Sequence, residues 1–216
     1  MSKFLLITRP EHDLTTRYIS KWSEKIIDQA ESKQIEVTDL RREKANKERV
    51  LGILKKKEKI MMLVVINGHG NDTTITGHDN KPLITEETAG VLKSKITYAR
   101  SCKSAKVLGR AAIAAGGIAY LGYQEDFIFL IDEEKISKPL EDSKAALFLE
   151  PSNYIITSLL KGHSAEEANN RSKNKYRKNL EKVLAGPASS ENSYAARFLY
   201  WNMTNQVCLG QGSATF

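Results

Sequence analysis

His69 and Cys102 are the residues of this chain whose types and spacing best suit chemistry. His69 ends the apolar run MMLVVINGHGN (61–71), and Cys102 ends ITYARSC (96–102), 33 positions later. An apolar run closing on Asn-Gly-His-Gly reads as a buried strand entering a tight loop. If the two strands are parallel neighbours in an open α/β sheet, both residues emerge at its carboxyl edge, where such sheets place their sites. A thiol supplies a nucleophile and an imidazole moves the proton, the two parts needed to attack a carbonyl. The pair reads as that of a cysteine peptidase.

Taken singly, neither residue means much. A loop histidine is commonly a polar surface group, and a cysteine after a strand is commonly a small buried hydrophobe. Their matched settings carry the argument. Gly68 and Gly70 flank His69 and predict a sharp turn with positive φ that lets substrate approach. After Cys102, SAKVLGRAAIAAG (104–116) predicts a helix capped at Ser104. The positive end of its dipole, with Arg100 and Lys103, would favour the thiolate. No G-x-G-x-x-G, P-loop or G-x-S-x-G motif supports a nucleotide-binding or serine-hydrolase reading.

The elements that must position the pair follow from periodicity. FLLIT (4–8), IEVTDL (35–40), MMLVVI (61–66), ITYARS (96–101) and GIAYLGY (117–123) predict strands. Leu14, Tyr18, Trp22, Ile26 and Ala30 recur every four positions, which predicts an amphipathic helix from Asp13 to Ala30. A charged helix with Val50, Leu51 and Leu54 inward follows the second strand, and TTITGHDNKPLIT (73–85) predicts a hairpin. TEETAGVLKSK (85–95) predicts a short helix. Further on come a polar surface loop (132–144) and a helix over 153–161. Ser164 and Glu167 form a capping box for a long helix with Ala168, Tyr176, Leu180, Val183 and Leu184 inward. A loop (185–193), a helix and a final loop complete the reading. Strand and helix alternate without repeat or linker, so residues 1–216 read as one α/β domain with a mostly parallel sheet.

Thirty-three basic residues against 26 acidic ones give a net charge of +7. The excess lies in 41–59 and 171–182, where acids and bases mix at helical spacing as on solvated helix faces. No aromatic platform, zinc spacing or helix-turn-helix pattern accompanies them, which argues against nucleic acid. No run reaches the roughly 18 apolar residues of a membrane helix. Two cysteines suggest a reducing compartment, and MSKFLLITRPEHD lacks the pattern of a secretory signal, so a cytoplasmic protein is expected.

Several segments occur together in order. They are the strand before Gly68-His69-Gly70, the hairpin ending Pro82-Leu83-Ile84-Thr85, and the strand entering Ser101-Cys102-Lys103-Ser104-Ala105. LGRAAIAAGGIAYLGY (108–123), LLKGHSAEEA (159–168) and WNMTNQVCLGQ (201–211) follow. With these the chain resembles the caspase-like cysteine peptidases of clan CD, and within them the CHAT-domain and gingipain-like peptidases, chiefly over residues 60–175. It departs from caspases proper, whose Q-A-C-x-G is replaced by Arg100-Ser101-Cys102-Lys103-Ser104. It also carries Lys103 and Ala105 where CHAT domains often have Glu and Gly.

The resemblance implies a caspase-like α/β/α sandwich and a cysteine endopeptidase. Cys102 would form a thioester, His69 would take the thiol proton or protonate the leaving amine, and the backbone N–H groups of Gly70 and Cys102 would hold the oxyanion. It calls for no cofactor, no metal and no third carboxylate. The partner would be a protein or peptide substrate, with any regulator on a separate protein. The first substrate pocket would be built from Arg100, two before the cysteine, and from Glu125 and Asp126. Asp126 falls where basic-specific relatives carry their pocket acid, so cleavage after Arg or Lys is expected. An exposed Arg100 would instead select Asp or Glu, and an Arg100–Asp126 pair would leave neither free. A catalytically silent caspase-like module that binds a partner is the alternative from another class.

Overall fold

Successive side chains along the central strands point to opposite faces of the sheet, and both faces are covered, which divides the protein into layers. The computed structural model describes residues 3–56 and 61–216. Strands β1 (Lys3–Arg9), β2 (Glu36–Arg41) and β3 (Met61–Asn67) are separated by helices α1 (Leu14–Ser32) and α2 (Lys47–Lys56). A hairpin of β4 (Thr74–Thr76) and β5 (Pro82–Thr85) follows, then a 3-10 turn over Glu86–Leu92 and strand β6 (Ile96–Arg100). Helix α3 (Leu108–Ala114) leads to β7 (Ala119–Tyr123). Helices α4 (Ser143–Leu160), α5 (Ala165–Leu184) and α6 (Ser190–Asn205) and strand β8 (Gln206–Gly210) end the fold.

The main sheet runs in the order β2-β1-β3-β6-β7-β8, parallel except for β8, which pairs antiparallel with β7. Leu5, Ile7, Leu63, Val65, Tyr98 and Leu121 face one side and pack on Ile26, Ile155 and Leu159 from α1 and α4. Phe4, Leu6, Val64, Ile66, Ala99 and Tyr120 face the other, against Val50, Leu54, Leu108 and Ala112 from α2 and α3. Continuous apolar runs in the sequence are therefore strands covered on both faces. The expected α/β/α sandwich with a mostly parallel sheet is what forms.

Several boundaries differ from the sequence reading, among them the start of α6 at Ser190, inside the expected 185–193 loop. The helix foreseen from Ser104 begins at Leu108, because Lys103 takes a left-handed conformation (φ 58°) and Ser104 Oγ bonds the carbonyl of Ser101. Helix α4 begins ten residues before 153, capped by Asp142, which accepts from Ala145 N–H, and it runs through Pro151. A proline cannot donate to the carbonyl four residues back. Asn179 of α5 fills that place, donating to Leu147 O at 2.7 Å. Ser172 and Tyr176 of α5 also donate to carbonyls of α4, those of Pro151 and Phe148. Strand β8 was read as a final loop, and Leu184, read as inward, is exposed.

Candidate functional site

Four chain segments meet at the carboxyl edge of the parallel strands. Strands β3 and β6 are direct neighbours, in register from Leu63–Ile96 to Asn67–Arg100. The loops carrying His69 and Cys102 therefore leave the sheet side by side. Gly70 pairs with Ile75 as an antiparallel bridge flanked by Thr76 N–H to His69 O and Asn71 N–H to Thr74 O, both 2.9 Å. In such a pair the residue's own N–H lies outside the ladder bonds. Neither Gly68 nor Gly70 has positive φ, contrary to expectation. Contact is what requires them. A Cβ on Gly68 would lie 2.0 Å from Thr76 O, and one on Gly70 would lie 2.1 Å from Ser101 Oγ and 3.2 Å from Cys102 O. The histidine loop thus rests directly on the cysteine loop.

His69 is anchored from an unforeseen direction. Its Nε2 lies 2.6 Å from Asp13 Oδ2, in the loop after β1. Asp13 also caps α1, accepting from Thr16 N–H at 2.7 Å. Burial pushes its carboxyl up, but Thr16 N–H and His69 outweigh that and hold it below the usual carboxylate range. The preceding Glu11 is gripped by Arg41 (2.7 Å), Arg42 (2.8 Å) and Ser20 (2.7 Å), which fixes the loop. With Nε2 engaged by Asp13, Nδ1 is the ring nitrogen left for a reaction. The sequence offered one signal for Asp13: it lies in the loop after a parallel strand, at the same sheet edge as His69 and Cys102.

Cys102 is half-buried, its Sγ 3.9 Å from Phe127 O. Burial pushes the thiol up, the Asp126 carboxylate adds to that, and Lys103 opposes it. The expected thiolate-favouring helix terminus is displaced: α3 starts six residues past Cys102, beyond the first-turn reach of a helix dipole. Its loop is stitched to the exit of β7 by Lys103 N–H to Glu125 O and Ala105 N–H to Tyr123 O, both 3.1 Å. Cys208, by contrast, sits within β8 opposite Leu121, and burial followed by Glu166 pushes its thiol up to about 12.

The residues read as pocket groups separate. Arg100 is fully buried, bonding Ser152 Oγ through Nε at 2.8 Å and Asn153 through its terminal nitrogen, both on α4. It is neither exposed nor paired with Asp126. Continuing the face set by Tyr98, its side chain goes under α4. Asp126 is half-exposed beside Lys103 Nζ (3.6 Å), and Glu125 lies 3.5 Å from Lys106 Nζ. The Trp201 indole N–H from α6 donates to Asp126 O at 2.9 Å. Asn202, one residue on, bonds both N–H and C=O of Ile128 at 3.1 and 2.6 Å and holds the following segment.

No family model and no curated protein matches the sequence. Among solved structures the chain is similar to one from the complex of Porphyromonas gingivalis RgpB pro- and mature domains, with a TM-score of 0.61 at 10% identity. The alignment covers 98% of this chain and 47% of that one, so this chain spans less than half its length. What the two share is the caspase-like fold. No helix among the described residues is long and apolar enough to cross a membrane.

Proposed function

We propose that the chain is a cysteine endopeptidase that cleaves after basic residues, with Cys102 as nucleophile and His69 as proton carrier. The observation that carries this reading is the contact between two loops on adjacent parallel strands, Gly70 against Ser101 and Cys102. Sγ attacks the scissile carbonyl, its proton passes to His69 Nδ1, and the tetrahedral oxyanion rests on the N–H groups of Gly70 and Cys102. Collapse forms a thioester and releases the amine, which takes its proton from His69. Water then hydrolyses the thioester. Asp13 orients His69 through the bond to its Nε2.

Asp126 supports the basic preference, because its half-exposed carboxylate sits by the nucleophile and Trp201 is hydrogen-bonded to its carbonyl. An arginine side chain there would meet a carboxylate and an aromatic ring. Lys103 now shares that carboxylate and would give way to substrate.

One observation favours the silent-module alternative: the environment of Cys102 favours its neutral thiol. An electrophilic peptide probe ending in Arg decides between them. The peptidase reading requires labelling at Cys102, loss of label and cleavage in Cys102→Ala and His69→Ala, and retention of both in Cys208→Ser. A folded wild-type chain that neither labels nor cleaves sinks the reading in favour of the silent module.

A further inference from the structure

His12 is buried beside the proposed machinery, and the dyad makes no use of it. Its side chain is only 9% exposed, and neither ring nitrogen has a hydrogen-bond partner among the described residues. A buried polar group left unmet carries the full cost of its lost hydration, which a ligand at that position would recover. Its ring stands edge-on to His69 on one side (centroids 5.9 Å apart) and to His78 on the other (5.4 Å). Its Nε2 lies 3.5 Å from Asp13 Oδ2, the atom that also meets His69. One donor atom from each of His12, Asp13 and His69 falls within 4.8 Å of the others.

We propose that His12, Asp13 and His69 form a site for a borderline divalent ion, zinc by preference, and that its occupancy silences His69. Two imidazoles and one carboxylate are donors that suit zinc and disfavour calcium or magnesium. Tetrahedral zinc at its usual bond lengths holds ligand atoms roughly 3.3–3.5 Å apart. The His12–Asp13 separation already matches. The 2.6 Å contact between Asp13 and His69 must open by somewhat under ~1 Å. Both of those side chains are more than a third exposed and so have room to move. Their exposure also leaves a coordination position towards solvent. His78 stands apart, its Nδ1 accepting from Glu11 N–H at 3.4 Å and its Nε2 turned to Glu43 and Asp79.

The silencing follows from proton accounting, and it rests on the peptidase reading above. Zinc on Nε2 replaces the bond to Asp13 and leaves the proton on Nδ1. Such a ring has no lone pair with which to accept the thiol proton, so the step that frees the nucleophile stops. Removing zinc restores the Asp13 contact and the ring's capacity to take up a proton.

Titration of tag-free protein with zinc chloride, followed by calorimetry, tests the site directly. One ion per chain is expected, with His12→Leu and His69→Gln each weakening binding by roughly tenfold or more. Ring-nitrogen NMR of the wild type guards against a misfolded variant: zinc should shift His12 and His69 and leave His163 in place. Undiminished binding in His12→Leu, or an unmoved His12 resonance, overturns the site. If the chain cleaves peptides, zinc should stop cleavage, a chelator should restore it, and His12→Leu should resist inhibition. Unimpaired cleavage at saturating zinc overturns the silencing. A chain that binds zinc through these residues yet cleaves nothing after chelation sinks the peptidase reading and leaves the metal site standing.

Discussion

Asp13 caps a helix and holds His69 with one carboxylate, and Asp13→Asn separates those tasks. Asparagine caps about as well as aspartate, so stability should change by only a few tenths of a kcal/mol, whereas Asp13→Ala should lose about 1 kcal/mol. The bond to His69 behaves differently. A charge-assisted hydrogen bond contributes about 1.5–3 kcal/mol. At 2.6 Å the Asp13–His69 contact is short, but each group is more than a third exposed and water recovers part of its strength. Taking the lower end, about 1.5 kcal/mol, kcat should fall roughly tenfold in both variants. KM for peptides ending in Arg should hardly move, because Asp13 bonds His69 and Thr16 and not the residues of the proposed pocket. Fluorogenic peptides assayed from pH 5 to 9, with urea melts of each variant, give every quantity needed. An asparagine variant with wild-type kcat would refute the positioning role. Loss of activity that merely tracks unfolding in Asp13→Ala would do the same.

Gly70→Ala should reduce kcat about 100-fold, the scale of a misplacement near 1 Å. Its Cβ would press on the Thr74 carbonyl at 2.8 Å as well as on Ser101, and steady-state kinetics beside a melting curve would expose a harmless substitution. Lys103→Ala should lower KM for substrates ending in Arg by a few-fold, because the cation 3.6 Å from Asp126 competes for the same carboxylate, while Asp126→Asn should raise it. Matching changes with substrates ending in Asp would remove Asp126 from the pocket. Burial pushes the Glu11 carboxyl up, but Arg41, Ser20 and Arg42 overcome this and bring it to about 2. A depressed carboxyl stabilises the fold above its unfolded value near 4.5 and loses that contribution as pH falls towards 2. With Arg41 and Arg42 partly exposed, Glu11→Gln should cost about 1–2 kcal/mol at pH 7. The deficit should shrink by pH 3, and a pH-independent deficit in urea melts would refute the account.

The sheet was legible because strands covered on both faces write themselves as unbroken apolar runs, as in FLLIT and MMLVVI. Strand β8 was not: Val207, Cys208 and Leu209 are only partly buried at an edge and carry no such run. The start of α4 was obscured by Pro151, a breaker in sequence whose cost Asn179 offsets from another helix. Within the site, His69 and Cys102 stood out because each ends a strand, and the β3–β6 pairing brings their loops together. Asp13 read as a helix start at the same sheet edge, but its bond to His69, which joins residues 56 positions apart, left no local trace. Arg100 was misjudged because alternation along β6 sends it beneath α4, and sequence spacing alone does not say which groups wait there. The corner of His12, Asp13 and His69 forms only where two loops, those after β1 and β3, meet in space.

Helices α4 and α5 are keyed to one another by three bonds, from Ser172, Tyr176 and Asn179 to the carbonyls of Pro151, Phe148 and Leu147. Sliding α5 by one turn out of this alignment would break all three bonds and leave the Leu147 carbonyl, which faces a proline in its own helix, without a donor. The proline, by leaving Leu147 an acceptor that its own helix cannot satisfy, makes that alignment obligatory. The turn joining the helices at Lys161 and Gly162 is then relieved of orienting them, and residues inserted there should leave their packing intact. Because α6 packs on α5 and carries Trp201 and Asn202, the same key sets, from the far side of the helical layer, where the wall beside Cys102 stands.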